Sequence, residues 1–389
     1  MALRPPPLRV WVWTAATLAL VVVATLLWRG SSVAATDSTT APAPEALPGT
    51  PSGDLAQAWS VDTGVPLPPG VVEGGRVVVP SADGVTALDP ATGEEAWHYR
   101  RADAALCGLS ASNGLVVAVF RAGDRCDEAL ALTATTGVRA WTRNLSLRGD
   151  ATIAGTDQVV LASSDTGIVV IDPVGDNVRW RSAAEPGCAL VDTAVGSAGV
   201  AVLQRCDGTA AVQLRLFDSF SGQARWTRDL TVADGSDVRL AGVDRLVDVV
   251  AGDALLVHRP DDGAQLQELA LPAATDGGAE GDPVLQGGVG DVALVWARGT
   301  LSALDGTTGA QLWQVPALGL PTASAVGKGE VGRAGVWVPE SGSLVLRDPA
   351  TGAETARVAV EDALEPGGRA AVVGPVLVYA LPDRVAGWS

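Results

Sequence analysis

Four cysteines, two histidines and scattered carboxylates are the residues of this 389-residue chain whose types admit chemistry, and their spacing decides which chemistry. Cys107 and Cys126 stand 19 apart, Cys188 and Cys206 18 apart, and each pair brackets a turn, Ser112-Asn113-Gly114 or Gly196-Ser197-Ala198-Gly199. Antiparallel pairing across such a turn brings two sulfurs together, so the spacing points to two disulfides, with buried free thiols or a metal site as the alternatives. Each bridge would add about 3 kcal/mol by restricting the unfolded chain, and would place the protein in an oxidising compartment. His98 follows a tryptophan and His258 sits beside a turn, which suits surface or structural histidines better than ligands. There is no Gly-x-Ser-x-Gly elbow and no Gly-rich loop ending in Lys-Ser/Thr. The sequence therefore offers no catalytic, cofactor-binding or metal-binding residue.

The elements that position these residues are read from a repeat. In Val85 to Trp97, VTALDPATGEEAW, a short alternating run turns through Asp89-Pro90-Ala91-Thr92-Gly93 and re-enters an extended segment that delivers Trp97. Asp opens such a turn, Pro presets the next backbone angle, and Gly accepts the positive φ that closes the hairpin. The same offsets recur at Thr133/Gly137/Trp141, Asp218/Gly222/Trp226 and Asp305/Gly309/Trp313. Weaker copies stand at Asp172/Trp180, with its Gly one place early, at Gly263, and at Asp348/Gly352. Slots 39 to 46 residues apart, made of short strands, predict propeller blades of four strands each. The C-terminal VYALPDRVAGWS puts Ser389 in an eighth slot with no Trp strand after it, while Trp59 lies in a strand with no blade before it. Joining the two orphans closes a ring of eight blades without an open edge. The fold class is thus all-β, an eight-bladed β-propeller closed by an N-terminal strand. Its docking slots are Trp59, Trp97, Trp141, Trp180, Trp226, Gln267, Trp313 and Ala356.

This motif resembles the tryptophan-docking repeat of the pyrroloquinoline quinone (PQQ) propeller family, over residues 55 to 389. That family includes quinoprotein alcohol dehydrogenases and the lipoprotein propeller of the outer-membrane β-barrel assembly machine. The resemblance implies that each tryptophan wedges between neighbouring blades, and that Gln267 and Ala356 loosen two of the junctions. The family's enzymes carry long insertions, a vicinal Cys-Cys ring and a calcium ligand set. Here no two cysteines are adjacent, the blades are close to minimal length, and no calcium triad can be matched. The resemblance is therefore to the non-catalytic members, which hold proteins or peptides with their loops and funnel. The expected function is a protein-binding scaffold of the cell envelope that is not an enzyme and takes no cofactor. A PQQ- and calcium-dependent dehydrogenase, or a sensor of a small ligand in the funnel, is the alternative.

Residues 10–28, VWVWTAATLALVVVATLLW, carry no charge and span about 28 Å as a helix, enough for a bilayer core. With Trp11, Trp13 and Trp28 at its ends and Arg4 and Arg9 before it, this run is expected to be a signal anchor with residues 1–9 cytoplasmic. A cleaved signal peptide ending at Ser32-Val33-Ala34 is the rival. Residues 29–54, rich in Pro, Ser, Thr and Ala, are expected to be a disordered tether that holds the propeller off the membrane. Net charge is −17, which excludes nucleic acid and disfavours an anionic membrane surface as a docking partner. The expected partners are the membrane, through Val10 to Trp28, and an envelope protein or peptide outside the cell.

Overall fold

The computed structural model describes residues 7–209, 211–232, 237–273, 283–324 and 335–389. Arg4 and most of the 1–9 segment lie outside the described residues.

Eight antiparallel blades follow one another round a ring. Blade 1 runs outward from Val72–Glu73 through Arg76–Ser81 and Gly84–Leu88 to Glu95–Arg101. Blades 2 to 7 fall within residues 105–144, 152–183, 188–230, 238–270, 284–316 and 322–360. Blade 8 takes three strands from the C-terminus, Gly368–Val373, Val376–Ala380 and Arg384–Trp388, and its outermost strand, Gln57–Asp62, from the N-terminal side. Asp62 pairs with Arg384 and Gln57 with Trp388, so the two orphan ends close the ring as the repeat count requires. Second strands such as Arg76–Ser81 are buried on both faces, which is why they read as apolar runs rather than alternating ones. Hydrophobic clusters join each blade to the next, and the core is therefore a ring of junctions.

The repeat motif is what builds those junctions. The carboxylate of Asp89 accepts from the amides of Ala91 and Thr92, and Asp218, Asp305 and Asp348 cap their turns in the same way. In blades 1 to 7 the pairing of the third and fourth strands slips by one residue just before the turn, a bulge that aims the next side chain at the neighbouring blade. That side chain is the tryptophan. The indole N–H groups of Trp59, Trp97, Trp141, Trp180, Trp226 and Trp313 donate, at 2.7 to 2.9 Å, to the carbonyls of Pro90, Ala134, Pro173, Ser219, Pro260 and Pro349. Every acceptor follows the Asp slot of the next blade. Where a tryptophan arrives over a turn glycine, that glycine lies under the ring: a Cβ on Gly263 would come within 2.5 Å of Trp226, and one on Gly93 within 2.5 Å of Trp59.

Departures from the motif are compensated locally. Where the third repeat has its glycine early, Asp176 itself takes the left-handed conformation at φ 53°. Gln267 pairs opposite Val257, and the junction it leaves is filled by Leu266, which meets the turn glycine Gly309. Ala356 is offset by Trp388, which is buried in the cluster between blades 7 and 8 and donates to the carbonyl of Glu361. The two junctions expected to be loose are packed by other side chains.

Both cysteine pairs are disulfides, Cys107–Cys126 and Cys188–Cys206. They are not equivalent, however. Cys188 and Cys206 face each other across the first and second strands of blade 4. Cys126 lies in the third strand of blade 2, Arg125–Thr133, rather than in the loop before it, so its bond to Cys107 spans from the first strand to the third.

The expectation of a disordered tether over residues 29–54 is corrected. A helix of 22 residues, Leu8–Arg29, is followed by only five residues before the chain joins the ring. Ala35 accepts from the amide of Ala102, and Thr36–Ser38 adds a fifth strand to the outer edge of blade 1, Thr36 opposite Arg101 and Ser38 opposite Tyr99. Thr39 donates to the carbonyl of His98, Ala41 to that of Thr136, and Arg76 to the carbonyl of Pro42. Leu47 packs into the cluster between blades 8 and 1, and Asp54–Leu55 lies parallel to Ala359–Val360 of blade 7. An outer strand offers a row of unpaired backbone groups, and an extended segment satisfies them. The strap's donors here are the amides of Thr39 and Ala41, whereas Pro42 docks through its carbonyl and so loses nothing by its missing N–H. His98, expected at the surface or in a structural role, is buried at this attachment: its amide donates to the Thr39 hydroxyl and its Nε2 lies 3.3 Å from Asp37.

Candidate functional site

First strands lie innermost, each against the next, and polar residues of blades 4 to 6 converge beside them at the blade junctions. Asp248, in the second strand of blade 5, is fully buried. Its Oδ2 accepts from Gln286 Nε2 of blade 6, whereas its Oδ1 has no hydrogen-bond partner among the described residues. Gln286 also donates to the carbonyl of Leu246 and accepts from the amide of Asp244, using both ends of its amide to bind blade 6 to blade 5. Asp244 in turn accepts from the amide of Ser197 in blade 4. Burial pushes the Asp248 carboxyl up to about 7, against the pull of the Gln286 hydrogen bond, and Asp244 adds repulsion. Burial likewise raises Asp192, although the amides of Leu240 and Thr193 hydrogen-bond to its charged form.

Below this network a cleft of 330 Å3 opens on the face that carries the turns after the first and third strands. Arg225, Arg245, Arg259, Asp244, Asp261 and Asp291 line it, with Ser197 and Thr307. Arg225 is held by Asp218, and Arg259 by Asp262, but Arg245 makes no ion pair among the described residues. Mixed charge at a shallow site suits recognition of polar groups on a partner better than enclosure of a small apolar ligand. Among the described residues no group of three or more His, Cys, Asp or Glu is arranged to hold a metal ion. Across the ring, Arg369 stands half-buried in the first strand of blade 8. Its pKa is pulled down to about 10 by burial, with Asp244 drawing it back.

The family model for outer membrane protein assembly factor BamB, a PQQ-type repeat, matches residues 25–194 and 210–378. The chain belongs to this family. Similar folds occur among solved structures. A computationally designed protein, Ika8, is 15% identical with a TM-score of 0.51, over 87% of this chain and 99% of that one. Quinohemoprotein alcohol dehydrogenase from Comamonas testosteroni is 14% identical with a TM-score of 0.51, over 86% of this chain and 76% of that one. BamB from Moraxella catarrhalis is 17% identical with a TM-score of 0.49, over 86% of this chain and 99% of that one. No curated protein sequence matches.

Within this BamB-family ring the residues singled out by sequence separate cleanly. The six tryptophans and four cysteines lie at blade junctions and within blades, and none of the eleven residues lining the mixed-charge cleft is among them. The buried polar residues Asp248 and Gln286, with Asp244 and Arg369, were not legible from spacing. A carboxylate inside an apolar strand, Leu246-Val247-Asp248-Val249-Val250, is the one signal that could have marked them. His258 is buried with its pKa lowered by desolvation, which fits a structural residue.

Proposed function

We propose that this protein is a non-catalytic scaffold of the cell envelope, anchored in the membrane by Leu8–Arg29 and binding a protein partner outside the cytoplasm. The observation that carries the reading is the family match, which spans both halves of the ring and whose description is that of an assembly factor. One apolar N-terminal helix and two disulfides fit an extracytoplasmic protein. The lack of adjacent cysteines supports a non-enzymatic role without a cofactor, since the quinoproteins place such a pair at their quinone. Binding falls to the short loops, because the strands are spent on the ring.

The test is photo-crosslinking in intact cells from Thr307, in the mixed-charge cleft, and from Asp207, at a turn on the opposite face. A discrete adduct with an envelope protein is expected from at least one position. No adduct from either, combined with a purified propeller that retains PQQ with calcium and reduces a dye on adding alcohol, would replace the scaffold by the dehydrogenase.

A further inference from the structure

The helix and the ring are too closely joined for the propeller to be suspended freely. Gly30 to Ala34 are the only residues between the helix end at Arg29 and the first backbone bond to blade 1, at Ala35. Fully extended, five residues reach about 17 Å. Here they are turned back on themselves, with the amides of Ala34 and Ala35 bonded to the Ser31 carbonyl. The attachment is at the rim, so the point of the ring nearest the helix is the outer edge of blades 1 and 2.

Three arginines cluster at that edge. A cleft of 520 Å3 runs between the turn after the helix and the outermost strand of blade 2, Arg139–Asn144. Arg101, Arg139 and Arg143 line it with a single carboxylate, Glu128, which is already paired to Arg101 at 2.7 Å. Arg139 rests its guanidinium over the Tyr99 ring and has no carboxylate partner among the described residues. Arg143 has only an exposed partner, Asp176. Beside them Val33 and Val138 are exposed, and the exposed Trp28 lies in the last turn of the helix. Arginine to hold phosphate, valine to enter the interface and tryptophan at headgroup depth are what a lipid surface takes.

We propose that the outer edge of blades 1 and 2 lies on the membrane, with Arg139 and Arg143 against the phosphates of anionic phospholipid headgroups. The inference rests on the anchor reading above. The chain's overall −17 opposes such contact only at long range, and beyond about 10 Å salt screens it. A covalent link of five residues holds this edge at the surface, so the local charge decides.

The full-length chain has no free cysteine, so single labelled cysteines can be introduced at will. Val138→Cys lies at the proposed contact, beside Arg139 of blade 2, and Glu268→Cys on the outer strand of blade 5, three blades further round the ring. Each is given a fluorophore and reconstituted into phosphatidylcholine vesicles, with or without phosphatidylglycerol, that carry a headgroup quencher. Severalfold stronger quenching at position 138 than at 268 is expected, with the difference enlarged by phosphatidylglycerol and reduced by R139E/R143E, a variant whose melting should match the parent. Protein that floats with the vesicles but quenches equally at both positions overturns the proposal and leaves the anchor standing. Selective quenching that R139E/R143E does not change overturns the headgroup contact. Protein that fails to float overturns the anchor and this proposal together.

Discussion

At the scale of single residues, the turn glycine explains more of this fold than the tryptophan it receives. Gly263 sits at φ 70° with Trp226 where its Cβ would be, whereas Gly252, at φ 60°, has open space around it. Alanine at either position meets the same backbone strain, about 1 kcal/mol. Only at Gly263 must a blade also move. Gly263→Ala is therefore expected to cost about 2–4 kcal/mol and Gly252→Ala about 1, measured by urea unfolding; equal losses would show that the indole contact is not what the glycine protects. Asp248 gives a second prediction, on pH. Its folded-state pKa, raised to about 7, lies above the ordinary 3.8 of the unfolded chain. Any stability its neutral form contributes is fully present below pH 4 and is lost as pH rises toward 7, because the unfolded chain ionises first. The difference amounts to at most about 4 kcal/mol. Asp248→Asn keeps an acceptor for Gln286 without the charge. The variant should melt higher than the parent at pH 8 and the two should converge near pH 4; a difference that does not change with pH would mean that Asp248 stays ionised in the fold.

At the scale of elements, the order of strands follows from the position of punctuation residues, and that is why the blades were legible in the sequence. Asp, Gly and Trp at fixed offsets specify a turn, a left-handed residue and an interblade wedge, each of which depends on local geometry alone. The strap was not legible for the opposite reason. Residues 35–55 have no periodicity of their own, and they are ordered only because blade 1 presents an open edge and blades 8 and 1 present a seat for Leu47. Composition describes a segment's ability to fold alone, whereas docking depends on a surface that is distant in sequence. The same limit hid Leu266 and Trp388, substitutes that stand one residue from, or 32 residues beyond, the slots they compensate. Two deletions separate these roles. Removing residues 57–62 takes away the strand that closes blade 8 and should abolish cooperative melting or lower its midpoint most. Removing residues 36–47 leaves the ring closed but uncovers the edge of blade 1, so a smaller fall in melting temperature is expected. Faster amide exchange should then appear at His98 and Ala102, whose amides donate to the Thr39 hydroxyl and the Ala35 carbonyl of the strap. Unchanged exchange there would return the segment to a free tether.

At the scale of the whole molecule, closure and attachment use the same stretch of chain. The N-terminal segment leaves the helix, edges blade 1, crosses to blade 7 and then supplies the last strand of blade 8, so the ring cannot close without drawing its rim up to the helix. This couples fold to topology in a way that proteolysis can read. If the helix spans the membrane with the ring outside, a protease added to sealed spheroplasts has access to the propeller, but most of the chain it meets is paired strand. Between the helix and the ring, Gly30 to Ala34 is an exposed connection outside the paired strands. Slow release of a nearly intact propeller is expected, and its new N-terminus should fall between Ser31 and Thr36. A new N-terminus between residues 40 and 50 would mean that the strap is not docked, even with the topology correct. Complete protection, together with activity of a cytoplasmic reporter fused after Ser389, would put the ring on the inner side, where two disulfides have no oxidising compartment to sustain them.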